Sequence, residues 1–212
     1  LVYTIRGWGV DNESWLLDHG RVGEFAQLAP ALFGRTFARG LAVRWVFMDA
    51  NYRTRECIAF AKKHRQVFLC RGQEFDDPVP MKPGQPIEQH PITGKPIEGS
   101  MRPWHLNVTM FKDELAGSIR GAEGFGRFHV YEDIDQVYLE EMRSEHKVLV
   151  STEKRTVERW VLRAGHLQNH FWDTETYNRA LEEARLSALD DSTDFGDGIE
   201  RGLRRYAEAA GD

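Results

Sequence analysis

The sequence predicts an α/β fold. Two runs rich in β-branched and aromatic residues, Leu41 to Met48 (LAVRWVFM) and Gln66 to Cys70 (QVFLC), are typical of strands buried on both faces. Between them, Thr54 to Lys63 (TRECIAFAKK) carries apolar residues at helical spacing. Strands that alternate with helices in this way indicate a sheet with parallel crossover connections.

The residues before this unit predict a hairpin and a helix. Leu1 to Trp8 alternates loosely, as a strand does, and residues 9–12 have turn chemistry. Glu13 to Leu17 (ESWLL) is therefore expected to pair with the first strand. From Val22 to Phe37 apolar residues recur at helical spacing, with Pro30 as the one interruption.

The character of the chain changes between Asp76 and Pro103, where seven of the eight prolines fall. A stretch this long without a pattern is typical of a functional loop or a disordered insertion, and we interpret it as a mobile surface loop. Regular structure is expected to resume with helices at Val108–Arg120, Val137–Ser144 and Phe171–Leu189, and with strands at Phe128–Tyr131, Lys147–Val150 and Glu158–Arg163.

These elements predict one domain over residues 1–187. Residues 188–212 are acidic and punctuated by glycine, and we interpret them as a tail or linker. The chain opens without Met, directly in strand-like sequence, which indicates a piece of a longer protein. No apolar run approaches the roughly 20 residues that a membrane helix needs.

Composition restricts the function only weakly. The formal net charge is −5 and the pI is about 5.9, which does not by itself indicate nucleic-acid binding. The two cysteines, Cys57 and Cys70, lack a Cys or His at zinc-ligand spacing. Both lie in apolar stretches, so we predict buried, reduced thiols and an intracellular setting.

Two acidic residues are candidates for chemistry. Asp49 follows the run LAVRWVFM and should stand at the carboxyl end of a parallel strand, where ligands gather in open α/β sheets. Asp173 should lie in the first turn of the last helix. Together two such carboxylates can hold Mg²⁺ or Mn²⁺. The alternatives are structural: Asp49 as the cap of the following helix, and Asp173 as a helix-start carboxylate.

Other residues are weaker candidates. Glu145 either supports a metal ligand or is a solvated charge, and His170 either orients a water or a phosphate or is a buried hydrogen-bonded histidine. Several basic residues, Arg71, Lys112 and Arg120 among them, are candidate contacts for phosphates or simply parts of a solvated face. No HExxH, GxxxxGK[ST], GxGxxG or GxSxG pattern occurs.

The order of motifs resembles the nuclease domain of the lambda-type terminase large subunits of tailed phages. The segments that carry this resemblance cover most of the chain; they are RGWGVDNESWLLDHG, FMDANYRTRECIAFAKKH, VFLCRG, NVTMFKDELAGSIR, YLEEMRSEHKV and QNHFWDTETYNRALEEA.

The resemblance implies an RNase H-like mixed sheet flanked by helices, and a domain that cuts concatemeric double-stranded viral DNA. It implies two Mg²⁺ or Mn²⁺ ions, with the second and third acids of the family falling on Asp49 and Asp173. The first acid would lie on a strand upstream of Leu1, in which case this chain alone is inactive. The implied partners are DNA, the ATPase domain of the parent chain, the small terminase subunit and the portal, in the cytoplasm of the host cell.

Two other functions fit the same residues. The first is a non-catalytic DNA-binding or motor-docking module, which would bind DNA without cutting it. The second is another RNase H-like enzyme, such as a resolvase or a transposase-type nuclease, against which the hairpin and the closing helix argue by resemblance.

Overall fold

A computed structural model describes residues 1–75, 78–89, 94–95, 99–121, 126–151, 156–189 and 203. Within these residues the chain forms a mixed α/β fold with five α-helices and three sheets, so the predicted class is confirmed. The strands are β1 Val2–Trp8, β2 Ser14–Arg21, β3 Val46–Asp49, β4 Val67–Gln73, β5 Met81–Pro83, β6 Trp104–Asn107, β7 Phe128–His129, β8 Glu145–Ser151 and β9 Thr156–Leu162. The helices are α1 Phe25–Phe33, α2 Thr54–Lys63, α3 Val108–Ile119, α4 Gln136–Met142 and α5 His170–Leu189.

The first sheet contains the predicted hairpin. β1 pairs antiparallel with β2 from Val2↔Arg21 to Trp8↔Ser14, and β7 adds to β2 in parallel. The second strand continues beyond the predicted end at Leu17. The helix that follows is shorter than predicted, because a capping box between Glu24 and Gln27 sets its start.

The second sheet carries the predicted crossover unit. β3, β4 and β6 are parallel, in register Met48↔Leu69 and Asp49↔Cys70, and β5 pairs antiparallel with β6. The prediction of a strand from Leu41 is wrong in its first half. Leu41 is half exposed and makes only an isolated bridge to Phe37 around a short 3₁₀ turn.

The Pro-rich segment differs in part from the expected loop. Met81, in β5, is fully buried, and Ile87 is buried in the core beside α2 and β4. Pro83 ends the short strand at the edge of the sheet, where a missing N–H is tolerated. Leu203 is buried against a core cluster that includes Cys70, Leu106 and Ala180.

Helix α5 connects the two larger sheets, which do not pair with each other among the described strands. It packs against β1 on one side and β3 on the other, and it also contacts α3 and α4. A third sheet, the β8–β9 hairpin, packs on α3. None of the described helices is long and apolar enough to span a membrane.

Candidate active site

Asp49 lies at the carboxyl end of β3, as the sequence predicts. Its Oδ1 accepts a hydrogen bond from the backbone N–H of Asn51 at 2.8 Å, and its Oδ2 accepts one from the Tyr177 hydroxyl at 3.3 Å. The alternative that Asp49 caps α2 is wrong. The residue at that cap is Arg53, in a left-handed conformation, and no side chain caps the helix.

Asp173 lies in the first turn of α5, as predicted. Its Oδ1 is 3.0 Å from the ammonium nitrogen of Lys112, which projects from α3. A carboxylate in this position also suits the helix dipole, so this alternative and a role in chemistry are compatible.

Lys112 joins Asp173 to a third carboxylate. Its side chain is buried, and its Nζ lies 2.9 Å from both oxygens of Glu145, the first residue of β8. The Asn169 side-chain amide donates to Glu145 Oε1 at 2.6 Å. Glu145 is therefore a buried, fixed charge next to Asp173 and not a solvated one.

The electrostatics of the site disfavour its own negative charges. Loss of water contact raises the pKa of Asp49, against the hydrogen bonds from Asn51 and Tyr177 and the attraction of Arg71. Loss of water contact also raises the pKa of Asp173, and so do the nearby charges of Glu145 and Asp49, whereas Lys112 lowers it. Asp49 and Asp173 thus lie close enough to repel each other.

The other residues predicted for the site, Arg71, His170 and Arg120, differ in their distance from Asp49 and in their exposure. Arg71, on β4, is close enough to lower the pKa of Asp49, and its buried Nε has no hydrogen-bond partner among the described atoms. His170 is exposed at the start of α5. Arg120 is exposed just after α3 and lines a cleft that Glu145 also lines.

Tyr177 and Asn169 were not assigned roles by the sequence. Asn169, Asp173 and Tyr177 are spaced at i, i+4 and i+8, which places them on one face of a helix. That spacing within QNHFWDTETYN was the available signal, but only the structure shows which partners the face meets. Burial raises the pKa of the Tyr177 hydroxyl, so it stays protonated and can donate to Asp49.

The donor set suits a hard divalent cation. Mg²⁺ is commonly held by one or two carboxylates together with water and substrate phosphates, and Asp49 and Asp173 supply such a pair. Within the described residues, no three His, Cys, Asp or Glu side chains stand together as a ready-made metal site. Cys57 and Cys70 are free and buried as predicted, and burial raises the pKa of each thiol, that of Cys57 to about 12.

Comparison with known proteins gives one match. A family described as terminase large subunit gpA, endonuclease domain, matches residues 1–191. No curated protein and no solved structure matches the chain.

Proposed function

The chain belongs to the family of terminase large subunit gpA endonuclease domains, and from this premise we propose that it cuts double-stranded DNA by metal-dependent phosphodiester hydrolysis. The family supports a nuclease role in DNA packaging. The observation that carries the finer proposal is the convergence of Asp49 and Asp173, which come from distant parts of the chain, beside a fixed third carboxylate.

Repulsion between the two carboxylates supports a cation between them. The charge of Asp49 raises the pKa of Asp173, and a divalent cation bound by both would relieve that repulsion. Bound Mg²⁺ or Mn²⁺, of which we expect two ions, would stabilise the charge that develops on the phosphate oxygens.

The chain's own residues keep the carboxylates in place. The Asn51 N–H and the Tyr177 hydroxyl hold one oxygen each of Asp49, which leaves each oxygen a further lone pair for a ligand. Lys112 sits between Glu145 and Asp173 and balances part of their charge. Arg71, close to Asp49, is placed to attract a phosphate toward this edge of the sheet.

Several finer points are proposals by resemblance. We infer that the two larger sheets belong to an RNase H-like arrangement, that the natural substrate is concatemeric viral DNA, and that the partners include an ATPase domain, a small terminase subunit and a portal. A further acid on a strand upstream of Leu1 is part of the same proposal.

The test is a titration with Mn²⁺ followed by plasmid nicking. We expect Asp49→Asn and Asp173→Asn each to weaken Mn²⁺ binding at least about tenfold, and the double variant to abolish it, because each substitution removes a charged oxygen ligand. Isothermal calorimetry measures the affinity. Nicking should likewise be weakened in each single variant and abolished in the double variant. It is measured in this chain and in a version extended at its amino end to include the upstream strand.

Asp11→Asn is the matched control, since Asp11 is an exposed carboxylate in the hairpin turn, and it should leave Mn²⁺ binding unchanged. An unchanged titration in the Asp49 and Asp173 double variant would refute the metal site. DNA binding without metal-dependent cutting, even in the extended version, would favour the binding or docking module instead.

A further inference from the structure

The cleft that Arg120 and Glu145 line lies between α3, α4 and the β8–β9 hairpin. Its volume is about 1180 Å³, above the roughly 300–1,000 Å³ of a typical small-molecule site. Glu145 is one of the residues that line the cleft. Its carboxylate binds the ammonium group of Lys112, which also contacts Asp173. Glu145 and Lys112 therefore link the wall of this cleft to the proposed site of cutting.

Half of the charged side chains that line this cleft are in ion pairs, and three arginines are the exceptions among its lysine and arginine side chains. Four Lys or Arg and four Asp or Glu side chains line it, so the formal sum is zero. However, Asp113 and Glu158 both pair with Lys147, and Glu145 pairs with Lys112. Among the acids, this leaves Glu140, which accepts a hydrogen bond from Gln136.

Three arginines remain for a ligand: Arg120, Arg143 and Arg163 are exposed and, among the described residues, pair with no carboxylate. The Nε of Arg143 donates to the Leu139 carbonyl at 3.2 Å, and that of Arg163 donates to the Arg143 carbonyl at 3.1 Å. These bonds orient the two guanidinium groups and leave their terminal nitrogens for an acceptor.

The wall of the cleft holds two further polar atoms without partners. The indole Nε1 of Trp172 and the ring Nδ1 of His146 are buried, and neither has a hydrogen-bond partner among the described atoms. Trp172 itself is only 3% exposed. Buried polar atoms are nearly always satisfied, and an indole N–H can only donate, so Trp172 lacks an acceptor.

We propose that this cleft binds the phosphates of the DNA strand that leads to Asp49 and Asp173, with Arg143 and Arg163 as the principal contacts. The proposal rests on the proposed nuclease function and assigns the path of its substrate. Phosphate oxygens accept hydrogen bonds from the N–H groups of a guanidinium, and a chain of phosphates suits an open cleft whose wall contacts the proposed metal site through Glu145 and Lys112.

The test is the salt dependence of DNA binding in EDTA, where no cutting occurs. We compare wild type with Arg143→Gln/Arg163→Gln, using fluorescence anisotropy of a labelled short duplex. Each phosphate contact adds about 0.9 to the slope of log affinity against log salt concentration, so we expect the slope to fall by about 1.8. Affinity at low salt should fall at least about tenfold.

The matched control is Arg44→Gln/Arg65→Gln. Both arginines are exposed and precede β3 and β4, at the end of the sheet opposite Asp49. This variant removes two positive charges, as the cleft pair does, but far from the cleft. An equal loss of affinity in both pairs, or an unchanged slope in the cleft pair, overturns the proposal. Arg120→Gln, an exposed residue beyond α3, provides a second cleft variant that should lower the slope by about 0.9 without disturbing the fold.

Asp173→Asn separates the two proposals. It should lose metal-dependent cutting but bind DNA in EDTA at least as tightly as wild type, because it removes a negative charge from the path of the phosphates. If neither wild type nor the version extended at its amino end cuts DNA, but the cleft pair still weakens binding selectively, the nuclease proposal fails and the binding cleft stands. If wild type cuts and the cleft pair binds DNA as wild type does, only the cleft proposal fails.

Discussion

Asp49 and Asp173 are carboxylates placed where their ionised forms are disfavoured. Each is partly removed from water, and each lies near another negative charge. A site of this kind costs stability in the absence of a cation, which is a common feature of functional sites. Lys112 offsets part of that cost for Asp173, because its ammonium group lies 3.0 Å from the carboxylate.

The residue-scale prediction concerns pH in the absence of metal. The folded-state pKa of Asp49 lies above the unfolded value of about 3.9, so the folded chain binds this proton more tightly. The stability that the protonated Asp49 carboxyl contributes is fully present below the unfolded pKa and is lost as pH rises through the folded pKa. The melting temperature of Asp49→Asn, relative to that of wild type, should therefore increase as pH rises from 4 to 7 in EDTA. Thermal unfolding measures this difference.

Adding Mn²⁺ should reverse that order at pH 7. Metal that binds only the folded state stabilises wild type by an amount that grows with the logarithm of the ratio of metal concentration to Kd, whereas the asparagine variant gains little. Asp11→Asn serves as the control and should follow wild type with and without metal. A melting difference that shrinks with rising pH would contradict the assigned direction of the pKa shift.

Helix α5 is the element that brings the site together. Asp173 and Tyr177 face Lys112 and Asp49, while Glu175 and Asn178 face β1. The rotation of the helix about its axis therefore decides whether Asp173 points toward Asp49. A network around Arg6 of β1 holds that rotation.

The Arg6 network is buried and well connected. The side chains of Arg6 and Glu175 are 1% and 0% exposed, and their closest contact is 2.7 Å. Arg6 also donates to Ser14 Oγ and to the His129 carbonyl, and Tyr138 donates to Glu175 at 3.0 Å. Such a pair contributes more to a unique geometry than to net stability, since both charges lose their hydration.

The element-scale prediction is a double-mutant cycle. Arg6→Met and Glu175→Gln should each lower the free energy of unfolding by about 3–5 kcal/mol, because each leaves one buried group without its partner. The double variant should lose clearly less than the sum of the two. Urea unfolding measures these energies, and a Mn²⁺ titration of the double variant should show weakened binding because α5 is no longer held in rotation.

The exposed pair Arg53–Glu24 is the control for this cycle. Its side chains are 25% and 70% exposed, so its coupling should stay below about 1 kcal/mol. If the buried pair couples no more strongly than this, Arg6 does not anchor α5. If the double variant binds Mn²⁺ as wild type does, the network is structural only.

At the scale of the whole molecule, two sheets share one core. The largest cluster of buried residues includes Ile5 from β1 together with Met48 from β3, Leu69 from β4 and Ile58 from α2. Although β1 and β3 do not pair, the apolar residues between them are continuous. The hairpin and the crossover unit should therefore unfold as one.

The whole-molecule prediction tests that continuity. Ile5→Ala should lower the free energy of unfolding by about 2–5 kcal/mol, because it removes a buried side chain from a packed core. Unfolding should remain a single transition when followed by far-ultraviolet circular dichroism and by tryptophan fluorescence. Leu149→Ala, at a position 72% exposed, is the control and should change stability by less than about 0.5 kcal/mol. Two separate transitions in Ile5→Ala would show that the sheets have independent cores.

The sequence by itself determined the class of fold, most helices and the two aspartates of the candidate site. These features depend on local patterns: apolar periodicity, turn residues and the position of Asp49 at the end of a buried run. The contacts that hold the site came only from the tertiary structure. Tyr177 meets Asp49, and Lys112 meets Glu145, through contacts between elements far apart in sequence.

The same distinction explains where the sequence misled. The run from Leu41 is apolar enough for a strand, but a strand needs a neighbouring edge, and only its end at Val46–Asp49 has one in β4. The segment with most of the prolines also looked structureless, yet Met81 packs in the core because β6 offers it an edge. Local patterns set what a segment can form, whereas the available partners decide what it does form, because strands are stabilised by long-range pairing and burial.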